Sequence, residues 1–246
     1  VLTPMRLFQQ YQIRHLPIVD QADRLVGLIT YESLHWESIQ RTLEQQRDFN
    51  HLIAEISSRF ADLEPTNLNP EIDRTLQLLG EATQADTSYL FHFTPAAGSP
   101  SSLADRTMSL TYEWCQQGYP RQMALVQGIP LTAFPWANTR LLEKEVVHVP
   151  DVGLVPPEAA IDQTSWQRFN LVSVLTVPLI QQSVVVGGMG FASFSRPLTW
   201  SDETVRLLKM VAQTIANVQT RIQVEQNLVV SEERLRLALS ATNQGL

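Results

Sequence analysis

The sequence predicts an α+β protein, an antiparallel sheet flanked by helices, with long leading and exit helices that pair as a parallel coiled-coil dimer. Three observations carry that reading. First, Leu171 to Phe194, LVSVLTVPLIQQSVVVGGMGFASF, holds two apolar, β-branched arms joined by the polar break Gln181-Gln182-Ser183, the pattern of a β-hairpin. In its first arm Leu171, Ser173, Leu175, Val177 and Leu179 share one face, and Val172, Val174, Thr176 and Ile180 the other. Both faces are mostly apolar, so the hairpin belongs in the middle of a sheet, with helices on one side and something else, such as a ligand, on the other. Second, the order helix, strands, helices, hairpin, long helix is that of an α+β domain. Third, glycine-free and proline-free helical stretches with apolar residues at heptad spacing precede and follow it.

Taken in order, Met5 to Gln12 reads as a short helix, Ile13 to Asp20 (IRHLPIVD) as a strand, Gln21 to Asp23 as a turn, Arg24 to Thr30 (RLVGLIT) as a second strand, and YESLHWE as a closing helix. From Glu37 to Leu63 glycine and proline are absent, and Ile39, Phe49, Ile53, Ile56, Phe60 and Leu63 fall on a and d positions, with Gln46 interrupting. Such a helix is about 40 Å long. Its stripe needs a cover, either a parallel copy of itself or its own domain. Glu64-Pro65-Thr66 breaks it.

The central domain opens with PEIDRTLQLLGEATQA, a helix with Pro70 in its first turn and Ile72, Leu76 and Leu79 on one face. Ser88 to Thr94 and Thr107 to Cys115 read as strands around a Pro, Ala, Gly and Ser loop at Pro95 to Ser102. Gly128 to Phe134 is irregular, Pro135 to Glu145 helical, VVHVPDV a strand, and Glu158 to Phe169 a short helix leading to the hairpin. Ser201 is a helix N-cap, followed by the acidic first turn Asp202-Glu203. The helix beyond it keeps Leu208, Val211, Ile215, Val218, Ile222 and Val229 at a/d spacing, with Glu225 intruding.

At 246 residues the chain accommodates one sizeable core with appendages, or two small domains. A formal charge of -7 with no long Lys/Arg cluster excludes a nucleic-acid footprint and argues against an anionic membrane surface. The single cysteine, Cys115, excludes an internal disulfide or a multi-cysteine zinc site and fits a reducing compartment. No apolar run approaches the roughly 18 residues of a membrane span, and the start lacks a signal peptide's apolar region, so the expected location is the cytoplasm. Beginning at Val1 and stopping at Gly245-Leu246 just after a helical pattern, the chain reads as a segment of something longer.

IRHLPIVD followed by RLVGLIT resembles the C-terminal half of a CBS domain, whose signature is a strand of the type R-x-L-P-V-V-D and then L-V-G-I-[LIV]-T. In that family the Thr after the second strand and an Asp three residues later hold a nucleotide ribose; here Thr30 is present and Ser33 occupies the Asp position, which argues against nucleotide binding. Phe49 to about Arg221 resembles a GAF domain, the small sensor fold of phytochromes, cyclic-nucleotide phosphodiesterases and many bacterial signalling proteins. The residues that carry this are Tyr112-Glu113-Trp114-Cys115, IPLTAFPW (Ile129 to Trp136), VVHVPDV (Val146 to Val152), SVLTVPL (Ser173 to Leu179) and VGGMGFASFSRPLTWSDE (Val186 to Glu203). They are of the type common in bacterial, particularly cyanobacterial, multi-domain sensors. SEERLRLALSATNQGL (Ser231 to Leu246) resembles the lead-in and first turn of a PAS domain. The implied organisation is a partial CBS domain over 1–36, a signalling helix over 37–64, a GAF sensor over 65–222, and a linker with the start of a PAS domain over 223–246.

Candidate chemistry is sparse. Gly187-Gly188-Met189-Gly190 lies inside a predicted strand and opens no helix, so close packing or ligand clearance explains it better than a phosphate loop. His51 lacks the surroundings of a sensor-kinase phospho-acceptor and reads as a solvated helix residue. Cys115 is followed by Gln116 and ends a strand, unlike the bilin-bonding cysteine of photoreceptor GAF domains, which His usually follows near a helix; a small buried thiol is the simpler reading. His148 and Asp151 have no nucleophile placed by a motif, and metal-ligand spacing is absent. The Asn-Lys-Phe-Asp-Glu signature of cyclic-nucleotide-binding GAF domains is missing. What remains is a set around a presumed pocket, Tyr112, Trp114, Cys115, Phe134, Trp136, His148 and Trp166, which either caps an apolar cavity or fills the core.

The resulting expectation is a non-catalytic sensory and relay module: a GAF pocket for a small molecule of unnamed class, a parallel homodimer, and a signal passed to a PAS or other output domain in the same chain. The alternatives are a ligand-free dimerising spacer and a bilin photoreceptor, in a parent histidine kinase or diguanylate cyclase.

Overall fold

The computed structural model describes residues 4–11, 13–94 and 103–243; the predicted loop Pro95 to Ser102 and the last residues, 244–246, lie outside these. The chain divides into two compact units, Val1–Leu52 and Ile53–Leu246.

In the first unit a helix α1 (Pro4–Tyr11) precedes two antiparallel strands, β1 (His15–Val19) and β2 (Leu25–Thr30). Their turn is closed by the Asp20 carboxylate, which accepts from the Ala22 and Arg24 amides at 2.8 and 3.0 Å. Thr30 and Ser33 then cap α2 (Tyr31–Ala61) reciprocally: the Ser33 amide donates to Thr30 Oγ1 at 3.1 Å and the Thr30 amide to Ser33 Oγ at 3.2 Å. The Thr30 hydroxyl is thereby engaged in starting the helix. With no Gly or Pro to stop it, the predicted closing helix and the heptad stretch run together as one element.

The second unit contains α3 (Leu68–Ala82), β3 (Thr87–Thr94), β4 (Thr107–Cys115), β5 (Ile129–Pro130), α4 (Pro135–Leu142), β6 (Val147–Val149), α5 (Ala160–Arg168), β7 (Ser173–Gln181), β8 (Val184–Ser193) and α6 (Asp202–Asn243). The strands form one antiparallel sheet in the order β5-β4-β3-β8-β7-β6. The expected hairpin is its centre, β7 and β8, turned by Gln182-Ser183 with φ of 45° and 67°, the paired positive values of a two-residue type I′ loop.

One face of the sheet carries α3, which packs on β3 and β4, and α6, which packs on β7. Leu90, Met189 and Val177 lie side by side across that face, as do Ser88, Phe191 and Leu175. Ser201 caps α6 as expected, its Oγ accepting from the Thr204 amide at 3.1 Å. The Arg221 guanidinium on α6 donates to the carbonyls of Ala61 and Leu63 at 2.9 and 3.0 Å, tying the end of α2 to the exit helix.

The stripes that predict a dimer seam are used inside this unit. Ile53, Ile56 and Phe60 on α2, and Leu208, Val211, Ile215, Val218 and Ile222 on α6, are at most 7% exposed in a single chain. Their seam assignment is therefore corrected: over three or four turns a 3.5-residue repeat and the 3.6-residue stripe of a helix lying on its own core look alike, and here α6 lies on β7. Of the other predicted seam residues, in the first unit, Ile39 is exposed and Phe49 half-buried.

Candidate functional site

The opposite face of the sheet is covered by α4, α5 and the segment between β4 and β5, and a cavity of about 80 Å³ remains beneath this roof. That is room for several waters or a small organic molecule, well below the roughly 300–1,000 Å³ of pockets that enclose drug-sized ligands. Its floor is Thr87, Tyr89 and Phe91 of β3, Met108, Leu110 and Glu113 of β4, and Val174 and Thr176 of β7. Its roof includes Phe134, Ala137, Asn138 and Trp166.

The glycines of β8 make that floor. A Cβ at Gly190 would overlap the Tyr89 ring, and one at Gly188 would meet Phe91 and Thr176. Tyr89 and Phe91 therefore lie flat across the strand, and close packing by aromatic rings explains the glycine run. Gly187 serves the backbone instead, since a Cβ there would overlap the Phe91 carbonyl oxygen.

The roof is pinned by Asp162, a fully buried carboxylate in the first turn of α5 that reaches back to the start of α4. It accepts from the Trp136 and Ala137 amides at 3.1 and 2.8 Å, capping α4 from a distance of 25 residues or more in sequence. Burial pushes its carboxyl above the usual carboxylate range, while these two amides pull the other way. Ser165 Oγ adds a bond to the Ala133 carbonyl at 2.7 Å, and Asn138 Nδ2 one to Leu131 O at 2.9 Å.

A second buried carboxylate, Glu113, faces the cavity from β4. Its two oxygens accept from the Gln122 and Met123 amides at 2.6 and 3.0 Å, holding the segment that follows β4 against the sheet. Beside it, burial pushes the Tyr89 hydroxyl up to about 12; the Thr176 hydroxyl within reach works against that rise and the Glu113 charge adds to it.

The predicted pocket residues separate into two groups. Phe134 and Trp166 line the cavity, with ring centroids 6.1 Å apart. Trp136 is edge-on to Trp166 at 6.4 Å and carries the Arg140 guanidinium 5.1 Å from its ring, outside the cavity wall. Cys115 lies on the cavity face one pair beyond Glu113, but its thiol turns to the Tyr119 and Pro120 carbonyls at 3.6 and 3.7 Å and does not line the cavity. Burial first, then the Glu113 charge, raise that thiol above its ordinary value, the opposite of activation.

Tyr112, Trp114 and His148 lie on the helix-covered face. The Tyr112 hydroxyl donates to Asn69 Oδ1, Trp114 packs on Gly80 of α3, and the His148 ring sits 5.8 Å from Trp200 and accepts from its amide at 3.4 Å. Burial lowers the His148 pKa, partly offset by Asp202. For Tyr112 and Trp114 a β-bulge decides this. Met108 and Leu110 face the cavity, and simple alternation would bring Tyr112 and Trp114 in behind them. The register shifts where Leu90 pairs with Tyr112 and Phe91 with Leu110, leaving Thr111 as the extra residue, so Glu113 takes the inward position. Sequence reasoning missed Tyr89, Phe91, Glu113, Gln122 and Thr176. Alternation in β3 and β7 could have flagged Tyr89, Phe91 and Thr176, whereas Glu113 carried no signal apart from the bulge.

Among the described residues no cluster of three or more His, Cys, Asp or Glu is arranged to hold a metal ion, and no helix is long and apolar enough to cross a membrane.

A curled antiparallel sheet with helices on one face and a small roofed cavity on the other is a GAF-type α+β architecture. The GAF domain family model matches residues 67–218, and the chain belongs to that family. The chain is similar to the methanogenesis regulatory histidine kinase FilI of Methanothrix harundinacea (strain 6Ac), 27% identical over 175 residues, which cover 69% of this chain and 19% of the kinase. Similar solved folds include the chromophore-binding domain of the bacteriophytochrome RpBphP3 from R. palustris (12% identity, 73% of this chain and 62% of that one, TM-score 0.59). Another is the blue-light absorbing form of the PixJ GAF domain of Thermosynechococcus elongatus (14% identity, 69% and 94% coverage, TM-score 0.54). A third is a phycocyanobilin-bound GAF domain from a cyanobacterial phytochrome (15% identity, 72% and 96% coverage, TM-score 0.58).

Proposed function

We propose that this chain is the sensory and relay segment of a bacterial, cyanobacterial-type multi-domain signal transduction protein in the cytoplasm, and that its GAF domain binds a small molecule in the cavity between the sheet and α4/α5. The observation that carries this is the cavity itself, walled by apolar side chains and supplied with a buried carboxylate. A spacer would need its aromatic residues as a plug, and Trp114 and Trp136 lie elsewhere. The similarity to a regulatory histidine kinase supports a kinase-type parent whose catalysis resides outside these residues. In the same proposal residues 1–36 are the end of a CBS domain, 37–64 a signalling helix, and 223–246 the lead into a PAS domain.

The relay runs through β7. Its Val174 and Thr176 touch the cavity, while its other face carries α6, to which it is also tied by Gln213 Nε2 donating to the Ile180 carbonyl at 3.1 Å. A ligand that favours one setting of β7 thus biases the exit helix, provided it binds that setting more tightly. Dimerisation, in this reading, uses the exposed part of α6: past Ile222 Val224 and Leu228 stand one turn apart in solvent. A bilin reading draws no support from the cavity's volume or from the position of the Cys115 thiol.

The test is native mass spectrometry of the freshly purified chain, followed by an NMR fragment screen. Retained small molecules, or fragments that shift Tyr89, Thr176 and Trp166 signals, are expected, together with a dimer that Leu228→Glu weakens. A library that leaves those signals unmoved overturns the sensing reading.

A further inference from the structure

The polar groups in the cavity wall are unevenly matched. Among the lining residues Glu113 is the one charged side chain, and no Lys, Arg or His faces it. Its carboxylate accepts one backbone amide on each oxygen, which leaves part of its capacity of about four lone-pair sites unused. Next to it the Gln122 Oε1 atom is buried without a hydrogen-bond partner. The donors nearby are partly engaged, Asn138 Nδ2 giving one hydrogen to the Leu131 carbonyl and Tyr89 and Thr176 lying in reach of each other, whereas the Gln122 Oε1 acceptor has no partner. One end of the cavity therefore offers acceptors and a negative charge, and the remainder offers hydrocarbon and aromatic rings.

We propose that the cavity selects a small aliphatic ammonium ion, with its nitrogen between the Glu113 carboxylate and Gln122 Oε1 and its hydrocarbon against Phe91, Phe134, Val174 and Trp166. An ammonium group brings three donors and no acceptor, the complement of the Glu113 carboxylate and Gln122 Oε1. Its charge compensates a carboxylate that now sits buried with only backbone dipoles for partners. A volume of about 80 Å³, roughly half the 150 Å³ that admits the six carbons of benzene, limits the ligand to about three or four non-hydrogen atoms. The proposal rests on the sensing reading above and adds the ligand's charge and size.

The test is an NMR titration of the whole chain at neutral pH with three probes of nearly equal shape: n-propylamine, propan-1-ol and propionate. The amine is expected to bind at least about tenfold more tightly than the alcohol, as charge-assisted hydrogen bonds require, and the acid not to bind. Glu113→Gln should erase the preference for amine over alcohol. Because that change also touches two backbone bonds, Gln122→Leu serves as the second variant; it leaves the Glu113 contacts in place and should weaken the amine several-fold without affecting the alcohol. Equal binding of amine and alcohol, or an amine affinity unchanged in both variants, overturns the ammonium assignment while leaving a sensor. If neither these probes nor any other fragment reaches the cavity, the sensing reading falls with it.

Discussion

Two β-hairpins of similar chemistry meet opposite fates in this molecule. β1 and β2 carry Ile18, Val19, Leu25, Val26 and Leu28, yet most of these side chains stand in solvent, Leu25 at 67% exposure and Val26 at 62%. β7 and β8 carry the same residue types, and the run Ser173 to Leu179 is buried without a gap. Apolar, β-branched patterning makes a strand in both places; burial comes from the layers on either side, which the strand's own sequence does not supply. A two-stranded ribbon with uncovered faces is marginal by itself, and a contiguous apolar exposure marks a surface built to be covered. This agrees with our proposal that residues 1–36 are part of a larger CBS module.

The sharpest way to break the comparison is to add a side chain where each hairpin has glycine. At Gly187 a Cβ overlaps the carbonyl oxygen of Phe91 on the neighbouring strand, and backbone cannot step aside. Gly187→Val is expected to cost more than about 4 kcal/mol and to leave the second unit unfolded in urea titrations followed by circular dichroism. At Gly27 the same addition meets only the Ile18 side chain at 3.5 Å, an ordinary contact, so Gly27→Ala should stay within about 0.5 kcal/mol of the parent. Core truncation grades the contrast further. Phe191→Ala, at a fully buried position, should cost about 3–5 kcal/mol, and Leu28→Ala, at an exposed one, less than about 0.5 kcal/mol. Similar losses at both sites would mean that the first hairpin is covered in solution.

The two faces of the central hairpin are themselves buried by different means. On the helix face hydrocarbon does the work, whereas on the cavity face the roof depends on the polar staple at Asp162. Asp162→Ala leaves the Trp136 and Ala137 amides without their acceptor, and a loss of about 2 kcal/mol is expected in the same titrations. Asp162→Asn keeps one acceptor oxygen and should lose less. Roof opening would also appear as faster amide exchange in α4 with little change in α6.

The fold was legible in the sequence because its signals are local and repeated. The hairpin, the Ser201 cap, the first-turn proline Pro70 and the helix that begins at Pro135 each announce themselves within a few residues, and their order leaves few arrangements. The site was less legible, since it depends on one extra residue in β4. With strict alternation Tyr112 and Trp114 would face the cavity beside Met108 and Leu110; with Thr111 bulged, Glu113 does, and nothing local to TYEWC marks the bulge. The heptad stripes misled for a different reason. A helix that crosses its own sheet and a helix that crosses a twin both bury one face, and spacing alone does not name the cover.

The smallest expected effect concerns His92, which sits directly opposite Gly187 on β3. Its Nδ1 lies 3.0 Å from Thr111 Oγ1 and its Nε2 3.4 Å from Gln219 Oε1, so the ring links the bulge to α6. Burial pushes its pKa below the usual histidine value, and the Gln219 contact opposes this only in part. Between that lowered value and about 6.5 the unfolded chain therefore holds more protons than the folded one. Stability from this group is complete above about pH 6.5 and declines as the pH falls through 6.5 toward the folded value. His148, lowered by burial as well, contributes with the same sign. His92→Gln retains a partner for Gln219 but does not titrate, so the fall in the second unit's stability between pH 7 and 5.5 should become shallower. If the slope is the same in His92→Gln as in the parent, the ring takes up its proton alike in the folded and unfolded chains, and its burial imposes no penalty on the charged form.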